Sequence, residues 1–265
     1  VRSWESPGFK RFPRGSGWDN DNVIDTYVDI IAYGGDNRVR AARNLSSGRG
    51  IQKWDPPPAG RELEFTLPAR IAPILLATLR EDSPRWQQFR DNVILALGGI
   101  DEPTPEVVAA VHGALNGEHR RPPRHALRAA RRLGVHAADM TGDLERLLAV
   151  DRPAGLRLSA WDNDRAALAA TLVWVSAAPR PDALDLLAEA TRNGSEMVAR
   201  NAVSYLEGLG PRAEPVVDAL TAILHERDIG RPRVAKAIVA VSPDMFDEVL
   251  SVVVAQVASD DPVIA

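Results

Sequence analysis

Four arginines, Arg121, Arg124, Arg128 and Arg131, stand at positions i, i+3, i+7 and i+10. On a helix that spacing makes one stripe of positive charge, suited to phosphate oxygens or carboxylates. His119, Arg120, His125 and Arg132 flank it. An acidic set, Asp21, Asp25 and Asp29, recurs at i, i+4 and i+8. Like charges at that spacing oppose one another by about 0.2–0.5 kcal/mol per pair, so a divalent cation or arginines are candidates to compensate them. The plainer reading is capping, with Asp19 ahead of the helix and Asp21 in its positive first turn. Trp161-Asp162-Asn163-Asp164 repeats the wording of Trp18-Asp19-Asn20 and reads as a second such cap.

Signals for covalent or metal chemistry are missing from the sequence. Cysteine is absent, which removes disulfides, thiol nucleophiles and thiolate metal sites together. The five histidines form no His-Glu-x-x-His, and no phosphate-binding glycine loop or Gly-x-Ser-x-Gly elbow occurs. Neither a metal nor a cofactor is expected. Of the six tryptophans, Trp174 falls in the apolar run 166–175 and reads as core. Trp18, Trp54, Trp86 and Trp161 fall near helix starts or in loops, where an amphipathic ring can anchor a partner.

The elements that would position these groups are helical. Hydrophobic residues make up 45 % of the 265 and aromatics only 5 %, so the core is built from small and branched aliphatic side chains. The net charge of −4 argues against a long run of phosphates as the main ligand, because such proteins carry a basic excess. No stretch approaches the roughly 18 consecutive apolar residues of a membrane span. A cytoplasmic chain with no membrane partner is the expectation. Residues 105–116 carry Val107, Val108, Val111 and Leu115, an amphipathic stripe. Residues 122–134 follow, with Leu127, Ala130 and Leu133 on one side and a glycine at the stop. The pattern returns at 181–191 with 196–209, and at 214–224 with 232–241; prolines cluster at the starts.

These pairs repeat. Val39-Arg40-Ala41-Ala42-Arg43-Asn44-Leu45-Ser46 matches Leu127-Arg128-Ala129-Ala130-Arg131-Arg132-Leu133-Gly134 at five of eight positions. Related helix ends fall at 98, 176, 210 and 242, giving gaps of 52, 36, 42, 34 and 32 from residue 46 onward. Most of these gaps sit near the period of a helical-pair repeat, and the long ones hold insertions. Residues 1–17 form an aromatic, basic arm, 47–67 a proline-rich insertion and 152–160 an irregular linker. Arm and insertion are read as covers for the exposed end of the stack. Residues 259–265 read as the opening of a further, truncated repeat.

The segment Gly35-Asp36-Asn37-Arg38-Val39-Arg40-Ala41-Ala42-Arg43-Asn44-Leu45, with its Asp-x-x-Val-Arg-x-x-Ala opening, resembles the HEAT and armadillo-like repeats. It resembles in particular the bacterial HEAT-like repeats also found in phycobilisome lyases. Glu196-Met197-Val198-Ala199-Arg200-Asn201-Ala202-Val203 is a looser copy. The resemblance covers roughly residues 20–265 and implies one all-α domain, a right-handed α-solenoid of about six to seven helix pairs. It also implies that the second helix of each pair lines a concave face. The paired His-Glu motifs of deoxyhypusine hydroxylase, a HEAT-fold metalloenzyme, are missing.

On that face the expected partner-binding residues are Arg40, Arg43, Arg124, Arg128, Arg131, Arg200 and Lys236. In repeat register Arg128 corresponds to Arg40, Asn92, Ala170, Ser204 and Lys236, and Arg131 to Arg43, Leu95, Val173, Glu207 and Val239. The positive track is therefore broken, which favours a local anion site over a nucleic-acid groove. The leading expectation is a non-enzymatic binding or scaffold module gripping a protein or peptide. Two alternatives follow from the resemblance. One is a base-acting enzyme like the HEAT-like alkylpurine DNA glycosylases, using Trp86, Asp91, Trp161, Asp164, Arg128 and Arg131. The other is a small-molecule cyclase or lyase.

Overall fold

A computed structural model describes residues 20–33, 37–48, 66–80, 87–117, 121–226 and 231–260. Among them the chain is all-helical, with no strand and one isolated parallel bridge, Leu67 to Ile100. The helices are α1 Asn20–Tyr33, α2 Arg38–Ser46, α3 Ala72–Leu79, α4 Gln87–Leu97, α5 Pro105–Leu115, α6 Arg124–Leu133, α7 Thr141–Ala149, α8 Leu158–Val175, α9 Pro181–Asn193, α10 Glu196–Leu209, α11 Val217–Glu226, α12 Arg231–Val241 and α13 Phe246–Asp260.

Local sequence explains the boundaries. Pro105 and Pro181 open α5 and α9, where the missing N–H of proline costs nothing. Val107, Val111 and Leu115 turn inward together. Helices α6 and α10 end alike, on Gly134 (φ 57°, ψ −132°) and Gly210 (φ 54°, ψ −135°), a backbone conformation that a Cβ disfavours. Each glycine opens a seven-residue 3-10 stretch, Gly134–Met140 and Gly210–Val216, that leads into α7 or α11. Ala137 with Ala213, and Leu144 with Leu220, take matching buried places in the two copies.

Packing follows an alternating order. The even-numbered helices touch in series, α2 to α4, α6, α8, α10 and α12. Each also packs on the odd-numbered helix before it. One continuous core runs from Val23 in α1 to Val249 in α13. Helix α8 lies against α6, α7, α9 and α10 and is buried nearly all round from Ala166 to Val175, so its sequence lacks a polar stripe there. Gly98, just past α4, sits so close to α6 that an added Cβ would lie 2.6 Å from the Cα and the carbonyl oxygen of Ala129.

Three expectations change here. Trp161-Asp162-Asn163-Asp164 is not a cap: α8 already starts at Leu158, so these residues lie inside it. Trp161 is accordingly buried, 6 % exposed, and is no exposed anchor. Ser259 and Asp260 belong to α13, which begins at Phe246, and do not start a helix of their own; 261–265 lie outside the described residues. The arm 1–17, most of the insertion 47–67, and Trp18, Trp54, Trp86 and Asp19 lie outside the described residues.

Candidate binding groove

Helix α6 carries Arg124, Arg128 and Arg131 toward α8. Pro122 and Pro123 hold the preceding chain extended, so Arg121 reaches the same place from outside the helix. On α8, Asn163, Asp164, Ala167 and Thr171 face this side at helical spacing; α10 adds Asn201, Ser204 and Tyr205 at i, i+3 and i+4. Arg124, Leu127, Arg128, Arg131, Asn163, Ala167, Asn201, Ser204 and Tyr205 line a cleft of about 290 Å³.

Arg124 joins this cleft to an adjoining buried ion cluster. The Asp164 carboxylate is only 1 % exposed and takes two arginines. Arg121 donates from Nε to Oδ2 (2.7 Å) and from Nη2 to Oδ1 (2.9 Å). Arg124 donates from Nε (3.3 Å) and Nη2 (3.0 Å) to Oδ1. A buried carboxylate is stable only when paired and hydrogen-bonded, and both oxygens of Asp164 are so satisfied. The bond to Asp164 pushes the Arg121 guanidinium above its already high pKa.

Along the groove, Arg131 is buried and donates from Nη1 to Thr171 Oγ1 (3.2 Å), while its guanidinium lies 5.0 Å from the Tyr205 ring centre. Thr171 Oγ1 in turn donates a hydrogen bond to the Ala167 carbonyl (2.7 Å). Asn201 Nδ2 donates to Asn163 Oδ1 (2.6 Å), joining α10 to α8 across the floor. Arg128 and Ser204 are exposed above this network. Arg128 makes no hydrogen bond or ion pair with any described residue.

The other expected residues do not extend the run. Arg40 and Arg43 lie exposed on α2, separated from α6 by α4. There Asn92 is buried, accepting from Ser46 Oγ (3.3 Å) and donating to the Gln88 carbonyl (2.7 Å). Arg200 pairs with Glu196 (2.7 Å) and Lys236 with Glu207 (2.7 Å). Asp25 meets Arg70 (3.2 Å). Among the described residues no group of three or more His, Asp or Glu is placed to hold a metal ion, and no helix is long and apolar enough to cross a membrane.

The two acids named for base chemistry stand apart. Asp164 is held under Arg121 and Arg124, whereas Asp91 accepts from Gln87 (2.9 Å) and faces His125 (3.7 Å) in a separate cleft of about 430 Å³. Asn163, Thr171, Asn201 and Tyr205 escaped the sequence reading. Each is an ordinary polar or aromatic residue on its own helix; only the α6–α8–α10 contacts bring them together. Two further arginines hold the fold. Arg132, 4 % exposed, donates to the carbonyls of Ser46 (2.8 Å) and Leu95 (3.1 Å). Arg212 does the same for Trp174 (2.9 Å) and Ser176 (2.9 Å) at the end of α8. Comparison of the chain with protein-family models and with curated proteins finds no match.

Proposed function

We propose that this chain is a non-enzymatic binding or scaffold module, a right-handed α-solenoid of HEAT-like helix pairs that grips a protein or peptide along its concave face. Helices α2, α4, α6, α8, α10 and α12 would line that face, because they touch in unbroken series. The setting proposed is cytoplasmic. The observation that carries the reading is the open cleft across α6, α8 and α10, lined by arginine, amide, hydroxyl and tyrosine side chains. Those groups suit recognition of another chain. A carboxylate already engaged by two arginines, like Asp164, is poorly placed to take a proton from a substrate.

Photo-crosslinking tests the face directly. A photoreactive residue replacing Ser204 should join a discrete protein from the native host. The same residue replacing Asp185, exposed on α9, should not. Equal labelling at both sites, or none at Ser204, would overturn the reading.

A further inference from the structure

We infer that the α6–α8–α10 groove takes an acidic segment of its partner, one Asp or Glu carboxylate seating on Arg128 and on the outward N–H groups of Arg121 and Arg124. This rests on the binding reading above and names the chemistry of the occupant.

The first argument is charge. Among the described residues Arg121 and Arg124 share a single carboxylate, Asp164, and Arg128 pairs with none, so these three guanidiniums are answered by one negative charge. The second is preorganisation. Arg121 and Arg124 each use Nε and Nη2 on Asp164, which leaves the Nη1 donors of both for a ligand. Anchoring to a buried carboxylate fixes two side chains that would otherwise lose rotamer freedom on binding. Asp164 is thus a positioning residue. The third is Arg128, exposed and one helical turn from Arg124, with no partner among the described residues.

Extent decides between kinds of partner. A phosphate backbone needs a continued track. Here the places equivalent to Arg128 on the two adjoining helices hold buried Asn92 and Ala170, and Lys236 is answered by Glu207. A site for one or two carboxylates fits a peptide segment better than a nucleic acid.

The test is fluorescence anisotropy with a labelled hexaglutamate peptide flanked by Gly-Ser, a hexaglutamine peptide of the same frame, and a single-stranded oligonucleotide. The expected result is binding of the glutamate peptide alone, weakened about tenfold by Arg128→Glu and unchanged by Arg233→Glu, the same charge change at an exposed site on α12. Asp164→Asn makes the groove more positive, so charge alone predicts tighter binding. Positioning predicts weaker binding, with Asp164→Glu restoring part of it and a melting curve verifying the fold of each variant. Equal loss in the two arginine variants, equal binding of the glutamine peptide, or preference for the oligonucleotide overturns the inference. So does absence of binding up to about 1 mM glutamate peptide. If Ser204 still crosslinks a partner that the glutamate peptide does not displace, the face reading stands and only the acidic chemistry fails. If the peptide binds but Ser204 crosslinks nothing, the reverse holds.

Discussion

At the scale of single residues, arginine does two jobs here that composition alone does not separate. Arg132 and Arg212 are internal donors to helix-end carbonyls, groups that a helix leaves unpaired; Arg128 is exposed and pairs with no described residue. Arg132→Met keeps the buried stem but abandons the carbonyls of Ser46 and Leu95. It should cost about 2–3 kcal/mol in urea unfolding, whereas Arg128→Met should leave the urea midpoint unchanged. Asp143 supplies a pH test. Hydrogen bonds from Arg146 (2.8 Å), Asn116 (2.6 Å) and the His112 ring (2.6 Å) hold its carboxyl well below the usual carboxylate range. A depressed folded pKa means that its stabilisation is complete above the unfolded value of about 4 and drains as pH falls toward the folded one. Asp143→Asn should therefore lower Tm clearly at pH 7 and much less at pH 2; an equal drop at both would refute the assignment.

At the scale of elements, close approach is set by small residues. Gly98 stands where α4 meets α6, and a Cβ there would strike the backbone of Ala129. Gly98→Ala should destabilise by about 1–3 kcal/mol. Gly113, inside α5, has nothing within 4 Å of where a Cβ would stand. Gly113→Ala should stabilise by about 0.5–1 kcal/mol, the helix-propensity difference. Gly98, just past α4, and Gly113, within α5, thus predict opposite signs, readable in one pair of thermal melts.

Across the whole molecule, each helix relies on its neighbours in the series for burial. Helix α8 is covered by four others, whereas α13 leaves Phe246, Leu250 and Val254 exposed. Protection should follow. Amides of α8 should exchange slowest with deuterium, and those of α13 orders of magnitude faster; uniform protection from α1 to α13 would show that the stack opens only as one unit.

Helix identity was written locally. The 3.6-residue apolar period, prolines at the starts and glycines at the stops located α5, α9, α10 and α12 to within a residue or two, because those signals act within a single turn. The arginine stripe was legible for the same reason, as spacing on one helix. Its meaning was not. Asp164 lies 40 residues from Arg124, and Trp161-Asp162-Asn163-Asp164 offered the same residue types as a cap. Whether that tetrapeptide caps a helix or sits buried within one depends on α8 starting at Leu158 and on α6 and α10 closing over it. Those are contacts between distant segments, made through burial and ion pairing, and no local pattern encodes them.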